Sequence, residues 1–167
     1  MSSPWPKRCW TMTWLRRSRN TLRFSRAEWM NLWRGWRALL WAVWHLRRYP
    51  LPAVLGRVQA QRSFPSIGAG NRPGPRDVVR GVERASYLFP VPVLCLPQSI
   101  AIARLLVQQG HDCDFLVGAQ LDEDSLDAHA WVEMGGVPIN SAPDSAEQHP
   151  VWLHESLGAH PSSRVVG

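Results

Sequence analysis

The sequence predicts an α+β protein in which a helix packs on an antiparallel sheet. Residues 94–109 have the pattern of a helix, with Pro97 in its first turn and Gly110 closing it. Residues 112–119 and 129–134 both have strand character. Gly135-Gly136 then makes a two-residue turn into residues 137–140, which predicts a hairpin. The order helix, strand, strand, strand is typical of a small α+β domain.

The first part of the chain differs sharply in charge from the rest. The 167 residues leave room for one modest domain and an appendage. Residues 1–65 hold 13 Lys or Arg and one acid, whereas the remainder holds 6 Arg and 12 acids. The net charge of +6 therefore divides into +12 and −6, so the basic character belongs to an N-terminal arm. Anionic surfaces and acidic peptides are its expected partners.

The cysteine content and the N-terminus indicate a cytoplasmic protein. Cys9, Cys95 and Cys113 are odd in number and lack CxxC spacing, so neither a disulfide framework nor a zinc site is indicated. The basic N-terminus has neither an uninterrupted apolar run nor a small-residue cleavage site, and we expect no secretion.

Residues 1–27 are rich in Arg, Ser and Thr without an apolar period, which predicts disorder or an upstream extension of the reading frame. Residues 28–62 form a basic helical region. Through residue 48 its apolar side chains recur every three or four positions, as on one face of an amphipathic helix: Trp29, Leu32, Trp33, Trp36, Leu39, Leu40, Val43 and Trp44. Prolines at 50 and 52 end that helix, and a shorter helical pattern follows at residues 53–60.

The helix rich in Trp and Arg has three interpretations. It packs on its own domain, docks onto a partner protein, or makes a peripheral membrane contact through residues 28–48. The longest apolar run, residues 38–44, is far shorter than the ~20 residues that cross a bilayer. Nucleic acid is not an expected partner, because no recognised nucleic-acid module is present.

The remaining boundaries between segments of the chain are predicted from the positions of Pro, Gly and charged residues. Residues 63–75 contain three Pro and three Gly, which predicts a linker before a domain at residues 76–150. Within it, Asp77 is expected to cap a helix that ends before Pro90. An acidic loop at residues 120–127 separates the first two strands, and residues 151–167 are expected to be a C-terminal tail.

Cys95 and His129 are the candidate chemical groups. Cys95 lies where a loop enters a helix, so its sulfur faces unpaired backbone N–H groups and the positive end of the helix dipole, which favours the thiolate. His129 begins a strand, and an imidazole beside that sulfur completes a nucleophile and base pair. The alternative is that Cys95 is a small buried hydrophobic residue.

The motifs around this pair resemble the leader peptidases of lasso-peptide biosynthesis, of the stand-alone type. The resemblance is carried by Cys95-Leu96-Pro97-Gln98-Ser99, residues 101–106, Gly110-His111, residues 115–118, Ala128-His129-Ala130-Trp131-Val132-Glu133 and Gly136. It covers roughly residues 76–141. An arginine-rich apolar helix ahead of the domain is also similar. That family is similar to a reduced transglutaminase or papain-type cysteine peptidase domain, which is therefore the expected fold.

The resemblance implies proteolysis of a ribosomal precursor peptide just before its core, by a Cys, His and Asp triad without metal or organic cofactor. Cys95 and His129 match the first two members, and the position of the Asp falls on Ser141. If residues 134 and 137 pair, residue 131 faces 140, which puts Asn140 on the sheet face of His129. Asn140 is our first choice for the third member, Asp144 the second and Ser141 the third.

The resemblance also implies partners: the precursor's leader, a separate leader-recognition protein and a lasso cyclase. Residues 1–75 lack the run of strands that a leader-recognition domain requires, so we expect this chain to depend on another protein for leader capture. A non-catalytic adaptor that binds peptide or a maturation enzyme on the same fold is the alternative function. A membrane-binding protein driven by the basic arm, or, less favoured, one that binds nucleic acid, is a third possibility.

Several other residues have a plain structural interpretation. His111, His149, His154 and His160 lie in predicted loops without metal-ligand spacing, so we expect them to be exposed. Cys113 is expected in the core, and Trp131 either walls the active site or is a core aromatic. The acidic loop, with Asp122, Glu123, Asp124 and Asp127, does not follow a calcium-loop pattern.

Overall fold

The computed structural model describes residues 25–61, 73–122, 125–143 and 145–158 of the chain. Several predictions from the sequence lie outside these residues. They concern most of residues 1–27, predicted to be disordered or an upstream extension, most of the linker, Cys9, Asp144, His160 and the end of the C-terminal tail.

Two helices open the described chain. Helix α1 (Arg26–Arg48) has Ser25 as its N-cap residue. The Ser25 hydroxyl accepts from the Glu28 backbone N–H, and the Glu28 carboxylate accepts from the Ser25 N–H. This capping box satisfies two backbone donors at the helix start. Helix α2 (Leu51–Ala60) follows the predicted break, with Pro50 as its N-cap residue.

Helices α3 (Pro75–Tyr87) and α4 (Cys95–Gln108) lie close to their predicted positions. The start of α3 differs from the prediction, because Gly74 is the N-cap residue and Asp77 lies in the first turn. Pro75 explains the difference, since its fixed φ and missing N–H suit the first helical position. Gly110, with φ of 81°, follows the end of α4 as predicted.

A four-stranded antiparallel sheet follows in the order β3-β2-β1-β4. Its strands are β1 (Cys113–Asp122), β2 (Ser125–Met134), β3 (Val137–Pro138) and β4 (Val151–Leu157), and a one-turn helix, α5 (Ser145–Gln148), precedes β4. The predicted hairpin is confirmed: Met134 pairs with Val137 around a turn in which Gly135 and Gly136 both have positive φ.

Two parts of the sheet differ from the sequence-based expectation. The acidic segment expected to be a loop at residues 120–127 mostly continues β1 and β2, because their pairing extends to Asp122 opposite Ser125. Residues 151–157, expected in a tail, form β4, which pairs with β1. Acidic residues are typical of exposed loops, so the sequence of residues 120–127 does not indicate a strand. The alternation of apolar residues in β4 is interrupted at Glu155 and is therefore weak.

The core lies between the helices and one face of the sheet. Buried side chains from all four longer helices and from three strands form a single cluster: Leu39, Val54, Val82, Ile100, Ile102, Leu106, Phe115, Val117, Val132 and Leu157 are among its members. Helix α1 and helix α3 approach at two glycines, since a Cβ at Gly35 would lie 2.6 Å from the Gly81 carbonyl oxygen. Helix α1 is therefore packed into the same core as the sheet.

The opposite face of α1 is exposed. Trp29, Trp33 and Trp44 each leave more than half of their surface uncovered, whereas Trp36 packs against Phe89 with ring centroids 5.5 Å apart. Exposed arginines flank the three tryptophans on the same helix. Across the described ranges, the helices are too short or too polar to cross a bilayer. The predictions of partner docking and of peripheral membrane contact stay predictions.

Candidate active site

Cys95 is the first residue of α4, with Leu94 as the N-cap residue. The first helical hydrogen bond runs from the Gln98 N–H to the Leu94 carbonyl at 3.3 Å. The backbone N–H groups of Cys95 and Leu96 therefore lie ahead of the helical ladder, as the sequence predicted for a helix start. The partly exposed thiol donates to the carbonyl oxygen of Ala128, with the sulfur 3.9 Å away. The sulfur thus lies beside the residue that precedes His129.

A buried polar connection ties α4 to the hairpin that carries His129. The Ser99 hydroxyl, which is fully buried, donates to the Ala130 carbonyl at 2.8 Å and accepts from the Asn140 side-chain amide at 2.9 Å. The side-chain oxygen Oδ1 of Asn140 in turn accepts from the Val132 backbone N–H at 2.8 Å. Asn140 therefore uses both ends of its side chain to join β2 to α4.

The imidazole of His129 is held by Ser141. Its Nε2 lies 2.8 Å from the Ser141 hydroxyl oxygen, and the Ser141 hydroxyl contacts that of Ser145. The Ser145 hydroxyl is buried and donates to the Ala142 carbonyl at 2.7 Å. On one side the ring stacks on Trp131, with centroids 5.9 Å apart and planes 16° from parallel. Trp131 is fully buried, and its ring packs against that of His129.

A second histidine adjoins the site. The rings of His129 and His149 have centroids 5.4 Å apart. His149 Nε2 lies 3.2 Å from an Asp127 carboxylate oxygen, and its Nδ1 lies 3.3 Å from the Ser145 carbonyl oxygen. Its side chain is only 13% exposed, so the expectation of an exposed loop histidine is wrong.

Gly118 makes room for this second histidine. It pairs with His129 across the two central strands, and a Cβ added to it would lie 2.8 Å from the Cβ of His149. A side chain at position 118 would therefore displace the segment that holds His149.

The surroundings of His129 disfavour its protonated form. Burial has the largest effect and lowers the pKa of the imidazole below its ordinary 6.5, the nearby His149 lowers it further, and Asp127 partly opposes both effects. The neutral imidazole, which is the form that a general base requires, is therefore favoured.

The three candidates for the third residue of the triad differ in their contacts. Ser141, the third choice from the sequence, contacts the imidazole. Asn140, the first choice, makes its two bonds to Val132 and Ser99. Asp144, the second choice, lies outside the described residues.

Sequence reasoning missed Ser145 and the placement of His149. Both depend on recognising β4, because its pairing with β1 brings the segment just before it alongside Gly118 and His129. The alternation of Val151, Leu153 and Leu157 along that strand was the available signal.

Cys113 is buried, as predicted. Within the described part of the chain, His, Cys, Asp and Glu side chains form no group of three or more that could hold a metal ion.

Comparison with known proteins gives one match. The model of the transglutaminase-like superfamily matches residues 25–152, which is most of the chain and includes α1 as well as the candidate site. No curated protein sequence and no solved structure matches the chain significantly. Transglutaminase-like domains occur in cysteine peptidases and in transglutaminases. With four longer helices, an antiparallel sheet, a cysteine at a helix start and a histidine on a central strand, the chain belongs to the transglutaminase-like superfamily.

Proposed function

We propose that this protein is a cysteine peptidase that removes the leader from a ribosomally made lasso-peptide precursor during its maturation. One observation carries the proposal: the Cys95 sulfur, at the start of α4, lies 3.9 Å from the backbone carbonyl of the residue next to His129. A thiol at a helix N-terminus beside a positioned imidazole is the arrangement that acyl transfer through a thioester requires.

The reaction uses the thiol and the imidazole in turn. The Cys95 sulfur attacks the carbonyl carbon of the leader–core peptide bond while its proton passes to Nδ1 of His129. The imidazolium gives that proton to the amine of the core as the carbon–nitrogen bond breaks. Water then attacks the thioester, His129 takes a proton from the water, and the thiol and the leader carboxylate are released.

The resting thiol must turn before it reacts, because its hydrogen bond is made to the Ala128 carbonyl. Catalytic contacts often tighten only once substrate is bound, which is compatible with this arrangement. The backbone N–H groups of Cys95 and Leu96 precede the helical ladder and are the candidate donors to the oxyanion that forms on the attacked carbonyl.

The choice of a lasso-peptide precursor as substrate rests on the resemblance of the motifs around Cys95 and His129, because the fold alone is shared by peptidases and transglutaminases. The proposal includes a separate leader-recognition protein. Residues 25–61 form two helices and no strand, so this described region offers no sheet for leader capture. Full activity and high leader affinity of the purified chain alone would contradict this dependence.

The test is intact-mass analysis of a leader–core precursor peptide encoded near this chain. The peptide is incubated with the protein and a candidate leader-recognition partner, and with Cys95→Ala and Cys113→Ala variants as separate samples. We expect one cut just before the core with the original chain and with Cys113→Ala, which replaces the buried cysteine outside the site. Cys95→Ala should give no cut.

The same experiment addresses the alternative function. Ser141 stands where the resembled family has an acid, which favours a non-catalytic adaptor that binds peptide or a maturation enzyme on this fold. Absence of any cut, with the chain folded and bound to its partner, would support the adaptor and refute the peptidase. A product heavier by the mass of an added amine would instead indicate transfer of the acyl group to an amine.

A further inference from the structure

We propose that Ser141 and Ser145 form a hydroxyl relay that fixes the tautomer of His129 and so replaces the triad's carboxylate as the group that orients the base. This inference rests on the proposed function for its catalytic consequence, although the relay itself can be observed without substrate. Neither serine is a catalytic residue in the sense of touching the substrate. Both are positioning residues that act through His129.

The relay is a continuous chain of hydrogen bonds that ends on the backbone. It runs from Nε2 of His129 to the Ser141 hydroxyl, on to the Ser145 hydroxyl, and from there to the Ala142 carbonyl oxygen. The first link is 2.8 Å long and the last is 2.7 Å.

The last acceptor of the relay determines the direction in which each hydroxyl donates. A carbonyl oxygen can only accept, so the Ser145 hydroxyl uses its single proton on Ala142. Ser145 must then accept from Ser141, which spends the single Ser141 proton. Ser141 is left as an acceptor toward His129, so Nε2 must carry the ring proton. Nδ1 is consequently the nitrogen with the free lone pair, as a general base for the Cys95 thiol requires.

The relay is also held in place from several sides. Ser145 is 3% exposed and lies at the start of α5, where its backbone N–H donates to Ala142. Asn140, the neighbour of Ser141, is tied to Val132 and to Ser99. The ring of His129 has little freedom to turn, because it stacks on Trp131.

A relay of hydroxyls supplies orientation without charge. A carboxylate at position 141 would stabilise the imidazolium and raise the pKa of His129, whereas two neutral hydroxyls do so far less. Burial and His149 already lower the pKa of this imidazole. The titratable groups whose charges act on the ring are His149 and Asp127, and both are retained in the serine variants below.

The first test reads the tautomer directly. Protein with ¹⁵N-labelled histidine is studied by two-bond ¹H–¹⁵N correlation NMR, and a His129→Gln variant identifies the His129 signals. We expect the Nε2–H form in the original protein and a mixture of tautomers in Ser145→Ala, since Ser141 is then free to reverse and donate to Nε2. Ser145→Thr keeps a hydroxyl and should restore the Nε2–H form. An Nδ1–H form in the original protein, or no change in Ser145→Ala, would refute the relay.

The second test measures how a negative charge at position 141 changes the pKa of His129. Ser141→Asp should keep the Nε2–H tautomer and raise the pKa of His129 in the same NMR titration, while Ser156→Ala should change neither. Ser156 is a suitable control because its hydroxyl donates to Asp114 elsewhere on the sheet. A pKa of His129 that is the same in Ser141→Asp and in the original protein would contradict the inference.

The kinetic consequence separates the relay from the peptidase function. If the precursor is cut, Ser145→Ala should lower kcat about tenfold with little change in KM, the loss expected for one orienting hydrogen bond. Ser145→Thr should recover most of the rate. If no precursor is cut by any variant, the proposed function fails while the tautomer and the titration still decide the relay.

Discussion

Cys95 and His129 are held in place by different kinds of interaction. Cys95 starts a helix whose side chains from Ser99 to Val107 are buried almost without interruption, so the thiol half of the site is fixed by packing. The imidazole half, which we define as His129 with residues 139–143 and 145–149, is fixed by hydrogen bonds of the Ser141 and Ser145 hydroxyls. Apolar packing is non-directional, whereas the orientation of an imidazole depends on a hydrogen bond to one specific nitrogen.

The two halves of the site can therefore change independently. The thiol half depends on the packing of the core, whereas the imidazole half depends on which hydrogen-bonding group follows the hairpin. A carboxylate in place of Ser141 would therefore be compatible with the same core but would change the electrostatics around His129.

The largest effect should come from the core beneath the thiol half. Ile102 is fully buried in α4, and Ile102→Ala should lower the free energy of unfolding by about 2–5 kcal/mol because it leaves a cavity. Urea unfolding measures this loss. Ile102→Val serves as the graded control and should cost about 0.5–1.5 kcal/mol. Equal losses for the two variants would show that packing of this helix is loose.

A smaller effect should come from the link between the halves. Asn140→Ala removes the acceptor of the Val132 N–H and the donor to Ser99, and should cost about 1–3 kcal/mol of stability. Ser99→Ala and the double variant complete a cycle in which the two losses should be less than additive. The pKa of His129 should be the same in Asn140→Ala and in the original protein. A shift like that expected for Ser141→Asp would make Asn140 the orienting residue.

The smallest effect should be a dependence of stability on pH. The pKa of His129 is lowered in the folded state, so between that value and 6.5 the unfolded chain binds more protons than the folded chain. The contribution of this group is fully present above pH 6.5 and is lost as the pH falls through the lowered pKa. His129→Gln should flatten this part of the stability curve. A curve with the same slope in both proteins would contradict the assignment.

The elements that form by local pattern were predicted from the sequence. Helices α1, α2 and α4 and the hairpin at Gly135-Gly136 follow from apolar spacing, from Pro and Gly, and from turn chemistry. The transglutaminase-like fold was expected from motif resemblance and is shown by the family match. Cys95 and His129 were named from the same motifs, and the structure places the Cys95 sulfur beside the residue preceding His129.

The polar network around the imidazole could not be predicted, because it joins residues through contacts that leave no period in the sequence. Ser145 reaches Ser141 through a one-turn helix, and His149 reaches its place only because β4 pairs with β1. The predicted pairing of residues 134 and 137 is confirmed, but the register does not determine which of two neighbouring side chains, Asn140 or Ser141, bonds to His129.

The contact between Gly35 and Gly81 has a consequence for orientation. A Cβ at Gly81 would lie 2.9 Å from the Asn31 carbonyl oxygen, so the backbones of α1 and α3 interlock at this crossing and α1 cannot slide along its neighbour. The exposed tryptophans on the outer face of α1 therefore keep a fixed orientation relative to α3 and to the core that both helices share. A partner that bound those tryptophans would therefore be held at one angle to the helical layer, and the helix crossing would set that angle.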